Sequence, residues 1–485
     1  IGVVAMTHSS TAESSKSPVR PRVKARRVLF NCDGSGVRLH GNSGNDLNKW
    51  ISNLFTGLEG GHVDALLWCD GSGGNTALYD SKVLELDGER IGRPDPQVVK
   101  WIKEGNDPPV VVIREARKRS IDVFYSFRIN DIHDALEPPE SSVELPTFKV
   151  EHPEWLIGEQ RYGDVVNFHT ALDFAIPEVR ELKFRVIEEI FQKYDFDGIE
   201  IDFMRGPPFF LPGKESESAP ILTTFLRKVR KMLDARTKER GRRIEVAARV
   251  DETMEACRLD GFDVETWAKA DLIDILIMGS GTIDVDVTGF SKAVAGTGVR
   301  IYPCLYGWPS KYLPIPAELA RGIAATFWRN QPDGIYLFNW FPHEEQKRYQ
   351  IDLLKEIGNP AVLASRNVMY AAERGAPGRE YPHNWLLAKL PVYLKAGEAR
   401  DIPIEVGMQP SKEAMVELRV AVEGDVTLQL GFDGKIISGQ HRPSNGWAAV
   451  RLSNGQVTEG RHQIRLRLEE GESQVEAIEI HVTQP

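Results

Sequence analysis

The order of its segments predicts an α/β fold, a TIM (β/α)8 barrel, followed by a small all-β sandwich. Eight short runs rich in β-branched and aromatic residues fall between about residues 27 and 340, each separated from the next by a helical or helix-capable segment. Polar, charged and aromatic residues gather where those runs end, as they do at the C-terminal mouth of such a barrel. From about Asn367 the texture changes to short alternating runs parted by Gly, Asn and Pro turns, the pattern of a sandwich. The expected divisions are a disordered leader or linker at 1–26, a barrel at 27–360 and a β-sandwich at 367–485.

Composition agrees with this class. The chain has 485 residues, 41% hydrophobic and 27% charged, and no apolar run approaches the roughly 18 residues of a membrane span. A net charge of −10 argues against a nucleic-acid partner, whose footprint would be basic. Cys32, Cys69, Cys257 and Cys304 lack CxxC spacing, so buried thiols are expected, with a Cys32–Cys69 bridge the one pairing left open. Residues 1–26 join a short apolar stub to a stretch rich in Ser, Thr, Pro, Lys and Arg. That reads as a leader, with a secreted or periplasmic location as its corollary.

The strands come in order. Residues 27–33 form the first, ending on Asn31 and Asp33, and a helical stretch with Leu47, Trp50, Ile51 and Leu54 leads to the second, 65–70, ending on Asp70. A helix holding Val98, Trp101 and Ile102 precedes the third, 121–128. Beyond it Asn130, Asp131, His133 and Asp134 crowd into one loop. About 35 residues without clear periodicity follow, and a loop that long in a compact domain is usually functional. After Pro177, Val179, Leu182, Phe184, Val186, Ile187, Ile190 and Phe191 recur at helical spacing, and the fourth strand follows. The remaining strands fall at 243–250, 272–278, 299–306 and 334–340, with helices from about 221 to 241, 264 to 270 and 316 to 330 between them.

The fourth strand is the chemical centre. Residues i and i+2 of a strand share a face, so Glu200 and Asp202 point one way while Ile199, Ile201 and Phe203 point the other. Two acids on one buried face are costly unless paired or solvated, and Arg128, Arg205 and Arg249 are the available partners. Arg128 and Arg249 point inward by alternation, and such pairing lowers carboxylate pKa values. Acids beside aromatic faces suit a sugar: two carboxyl groups cleave a glycosidic bond, Trp and Tyr stack on pyranose rings, and Arg or Asn fixes hydroxyl or acidic substituents. The candidate contacts are Asp33, Asp70, Arg128, Asn130, Asp131, His133, Arg205, Arg249, Tyr306, Trp308, Asn339 and Trp340. Trp308 and Trp340 read equally well as core, and Asp33 and Asp70 as partners of loop amides.

The stretch Asp197-Gly198-Ile199-Glu200-Ile201-Asp202 resembles the fourth-strand signature of TIM-barrel glycoside hydrolases. Chitinase-like enzymes carry Asp-Gly-x-Asp-x-Asp-x-Glu there, and Met204 stands at the place of their final acid. In α-amylase-like enzymes the strand ends on the nucleophile, the place of Asp202, with Arg at the place of Glu200. A closer resemblance is to uncharacterised bacterial glycoside-hydrolase-like barrels, many from polysaccharide degraders. It rests on Ser126-Phe127-Arg128-Ile129-Asn130-Asp131-Ile132-His133-Asp134, on Leu172-Asp173-Phe174-Ala175-Ile176-Pro177-Glu178-Val179-Arg180 and on Phe262-Asp263-Val264-Glu265-Thr266-Trp267, and it covers roughly 27–350.

The resemblance implies a retaining glycoside hydrolase with Asp202 as nucleophile and Glu252, next to Asp251, as acid/base. Glu255 competes for that second role, and Glu200, one layer deeper, is an ion-pair or pKa-setting group. The partner is a carbohydrate, and the arginines favour an acidic or sulfated one. No cofactor and no metal is expected, because Asp33, Asp70, His133 and Asp134 lack a His-x-His or His-Glu-x-x-His pattern. Two other readings stay open: a non-catalytic carbohydrate-binding barrel, and a sugar lyase or isomerase using His133 or Tyr125 as base.

Overall fold

The computed structural model describes residues 23–32, 46–71, 73–158, 168–205, 207–375, 383, 385–453 and 455–485. Asp33 and almost all of the expected leader lie outside the described residues.

Eight parallel strands close into a barrel in sequence order: β1 (Val28–Cys32), β2 (Val63–Trp68), β3 (Asp122–Arg128), β4 (Gly198–Asp202), β5 (Glu245–Val250), β6 (Ile275–Met278), β7 (Arg300–Tyr306) and β8 (Ile335–Phe338), the last pairing back on β1. Parallel strands buried on both faces read as near-continuous apolar runs, as Ile-Leu-Ile-Met of β6 does. The helices between them start where the sequence supplies caps. Asp46, Asp95, Thr253, Asp263 and Asp286 each accept amides of the first helical turn. The long helix Glu215–Arg240 ends at Gly241, whose φ of 68° suits a left-handed cap. It begins earlier than the expected 221 and carries Pro220 inside. The carbonyl that Pro220 cannot serve belongs to Ser216, an exposed residue that water can reach.

Strand alternation separates two apolar layers. Leu29, Ala65, Leu67, Phe124, Ala247, Ile275, Ile277, Tyr302, Cys304, Tyr336 and Phe338 fill the interior, while residues of opposite parity pack against the helices. Arg26 closes the N-terminal end, donating through Nη1 to Glu245 at 2.7 Å and lying over the Phe124 ring. All four cysteines are buried and none is in a disulfide, so Cys32 and Cys69 are not bridged.

The C-terminal part is a sandwich. One sheet joins β9 (Val368–Ala371), β10 (Val392–Lys395), β12 (Met415–Val422), β15 (Trp447–Leu452) and β17 (Glu472–Thr483). The other joins β11 (Ala399–Val406), β13 (Leu428–Phe432), β14 (Lys435–Ile436) and β16 (Gly460–Leu468). β9, which the alternation pattern did not single out, pairs with β17 and lies on the barrel helix Ala317–Arg329. Gly322 permits that contact, since a Cβ there would meet the Met369 carbonyl oxygen at 2.0 Å. Among the described residues, no helix is long and apolar enough to cross a membrane.

Candidate active site

Register builds the site. Arg128, Asp202 and Arg249 are in-register neighbours across β3, β4 and β5, and Ser126, Glu200 and Ala247 form the layer beneath. The two acids of β4 therefore face inward, one above the other. Asp202 Oδ2 accepts from Arg249 Nη1 at 3.0 Å and Oδ1 accepts from the Met204 amide at 2.9 Å. Arg249 donates further to the Gly279 carbonyl at 3.3 Å and Ser280 Oγ at 3.2 Å, and its guanidinium lies 3.7 Å from the Phe338 ring centroid. Burial alone would lower the pKa of Arg249; the carboxylate of Asp202 outweighs it and holds the cation well above its ordinary value.

Glu200 Oε2 accepts from Asn31 Nδ2 at 2.8 Å, and the same amide reaches Ser126 Oγ at 3.0 Å. Burial, and then the charge of Asp202, pushes the Glu200 pKa up to about 7, while Ser126 and Tyr336 hydroxyls favour its charged form. The deeper acid is therefore harder to ionise than an ordinary glutamate.

The loop after β3 makes a second cluster. Asp131 Oδ1 receives the His133 amide and ring Nδ1, each at 2.8 Å, and Oδ2 receives Arg128 Nη1 at 3.3 Å. Burial raises the Asp131 pKa, but His133, Arg128 and Arg205 together hold it well below the carboxylate range. Lys149, buried in the irregular insertion, fixes this loop from below through Asp134 Oδ2 at 2.8 Å and the Asp131 carbonyl at 3.1 Å. Asn130 staples it to Leu172 and the Pro208 carbonyl. Arg205 lies over Phe338 at 5.1 Å; Tyr306 accepts from Asn339 Nδ2 at 2.8 Å and meets Trp308 edge-on. Arg205, His133, Tyr306 and Trp308 are partly exposed and form the rim.

The acids after β5 turn elsewhere. Glu252 Oε1 accepts the Leu386 amide at 3.3 Å, and burial with Asp251 beside it pushes its pKa up to about 8. Asp251 faces Asp260, which is bonded to His383 Nδ1, and burial raises both carboxyls. Glu252 thus meets the segment leading into the sandwich, whereas Asp202 meets Arg249 and Met204.

Two expected contacts sit away from the inner face. Asp70, two residues past the end of β2, pairs with the Tyr125 hydroxyl, itself packed among Trp68, Phe127 and Phe196 in the helix layer. Tyr125 is thereby removed as a cleft base. Trp340 should alternate inward after Tyr336 and Phe338. The left-handed backbone of Asn339, with φ 58°, turns it into the outer core, where Nε1 donates to the Leu305 carbonyl. Sequence reasoning missed Asn31, Ser126, Tyr336 and Phe338 as parts of the site, although their parity on β1, β3 and β8 carried the signal. Gly279, Ser280 and Lys149 had no such signal. Among the described residues, no group of His, Cys, Asp and Glu side chains is arranged to hold a metal ion.

Residues 65–218 match the family model described as Glycosyl hydrolase-like 10, a stretch that takes in most of β2 and all of β3 and β4, and with them Arg128, Asp131, Glu200 and Asp202. The match bears out the resemblance to a glycoside-hydrolase-like barrel family. The chain is 32% identical over 101 residues to the glycosyl hydrolase YngK of Bacillus subtilis (strain 168), covering 20% of this chain and 18% of the relative. It therefore spans less than a fifth of that relative's length. Similar solved structures include the PgaB (BpsB) glycoside hydrolase domain from Bordetella bronchiseptica, at 10% identity, 69% of this chain, 99% of that one and a TM-score of 0.44. TtGalA, an α-galactosidase from Thermus thermophilus in complex with stachyose, aligns at 12% identity over 69% of this chain and 66% of that one, with a TM-score of 0.39.

Proposed function

We propose that the chain is a glycosidase that cleaves a polysaccharide or oligosaccharide at the C-terminal mouth of the barrel. The observation that carries this reading is the Asp202–Arg249 pair, set one layer above Glu200 at the end of β4. A nucleophile must be held in one orientation, and Arg249 and the Met204 amide fix the two oxygens of Asp202. The partner acid must carry a proton at working pH, and Glu252, with its pKa near 8, does so. In the retaining scheme Glu252 gives its proton to the glycosidic oxygen while Asp202 attacks the anomeric carbon. Water, deprotonated by Glu252, then releases the sugar from Asp202. Glu200, buried beneath Asp202, keeps its proton to higher pH than an ordinary glutamate. Tyr306 and Trp308 offer the rim faces for a sugar ring, and the partly exposed Arg205 would meet an acidic or sulfated substituent. A polymeric substrate suits a secreted or periplasmic location.

One observation favours a second reading, a carbohydrate-binding barrel without hydrolysis. The Asp202 side chain is only 1% exposed with both oxygens engaged, and Glu252 turns toward Leu386. The deciding experiment sets the wild type beside Asp202→Asn on neutral, uronic and sulfated polysaccharides, with products followed by chromatography and NMR. Oligosaccharides released by the wild type alone, with the anomer retained at first, support the glycosidase. Binding by both proteins with no release from any glycan supports the binding barrel.

A further inference from the structure

We propose that Glu373, which reaches the barrel from the second domain, is a positioning residue for the Asp202–Arg249 pair. The inference deepens the glycosidase reading and rests on it for the kinetic half of its test. Glu373 follows β9 by two residues and is 2% exposed. Its Oε2 accepts the amides of Ile283 at 2.6 Å and Asp284 at 2.8 Å, in the loop after β6, and its Oε1 accepts the Ser310 hydroxyl in the loop after β7. Arg374, the next residue, donates to the Ser310 carbonyl at 2.7 Å and covers the Tyr312 ring, whose hydroxyl donates to Glu479 of β17 at 2.7 Å. Two adjacent residues of the sandwich thus grip two barrel loops.

That grip leads to the chemistry in three hydrogen-bonded steps. The Ser310 amide donates to the Gly281 carbonyl at 2.8 Å. The same loop presents the Gly279 carbonyl and Ser280 Oγ to the guanidinium of Arg249, which holds Asp202. Ser310 and Lys311 adopt left-handed φ values of 46° and 70°, conformations that non-glycine residues keep only where their surroundings impose them. Glu373 and Arg374 supply those surroundings. Without an acceptor for the Ile283 and Asp284 amides the loop must move to find water or another partner, and Gly279 and Ser280 move with it.

The test uses the full chain labelled with 15N-arginine. The Nε–H resonance of Arg249, identified by its loss in Arg249→Lys, reports the grip directly, and hydrolysis kinetics report its effect. Glu373→Ala should shift that resonance and lower kcat about tenfold or more with KM within about twofold, the sign of lost orientation rather than lost binding. Glu373→Gln should rescue both, because its carbonyl can accept both amides while its NH2 donates to a turned Ser310 hydroxyl. Tyr312→Phe, which cuts a neighbouring contact between the domains, should lower the melting temperature and leave the resonance in place. Ser310→Ala, a milder change, should move it in the same direction as Glu373→Ala. An Arg249 resonance unmoved in both Glu373→Ala and Ser310→Ala would overturn the proposal, as would an equal shift in Tyr312→Phe. If the wild type cleaves no glycan, the glycosidase reading fails, and the resonance alone decides the role of Glu373.

Discussion

Arg249 and Asp202 are paired twice, once as in-register neighbours of β5 and β4 and once through a 3.0 Å bond between Nη1 and Oδ2. Both side chains are essentially without solvent contact. A charge in that position survives only if its partner stays, and here the partner is fixed by the strand register itself, by Gly279 and Ser280, and by the face of Phe338.

Removing one member of this pair should therefore cost far more than removing both. Arg249→Leu strands a buried carboxylate, with an expected loss of about 3–5 kcal/mol in urea denaturation. The double change Arg249→Leu with Asp202→Leu should recover most of that loss while remaining inactive. Equal destabilisation by the single and double variants would show that the pair is not a coupled unit.

Stability should fall as pH rises across neutrality, and Glu200 is a principal reason. Its pKa stands near 7 in the folded chain against 4.5 unfolded, so the folded state binds the extra proton between those values. The contribution is complete below pH 4.5 and is lost as pH rises through 7, a total of about 3 kcal/mol at 1.36 kcal/mol per unit. Glu200→Gln should flatten this slope in denaturation series from pH 5 to 8. A slope as steep as the wild type's would assign it to other groups.

Glu252 should show the signature of a proton donor. The wild-type kcat is expected to decline as pH passes about 8, and Glu252→Gln should slow glycosides with poor leaving groups while sparing activated aryl glycosides. Uniform loss across leaving groups would mean that Glu252 acts through its bond to Leu386 instead.

The two tryptophans near the barrel mouth should part company. Trp340 is 2% exposed and bonded to the Leu305 carbonyl, so Trp340→Ala should cost about 3–5 kcal/mol. Trp308 is partly exposed beside Tyr306, and Trp308→Ala should weaken oligosaccharide binding in calorimetry with little change in denaturation midpoint. The reverse pattern would exchange their roles.

The sequence by itself determined the eight barrel strands, the inward pairing of Glu200 with Asp202, and the arginines that meet such acids. Each of these follows from local periodicity: a two-residue repeat fixes which side chains share a face, and its alternation with helical spacing fixes the order of the barrel. The same rule already placed Asn31, Ser126, Tyr336 and Phe338 inside. Tertiary structure decided what periodicity cannot carry. The left-handed turn at Asn339 reverses Trp340 beyond the end of β8, where alternation stops applying. Glu252, past the end of β5, takes its direction from Leu386, and Arg249 takes its final geometry from a loop held by Glu373. Those partners lie 134, 30 and 90 positions away along the chain, and only the folded backbone brings them together.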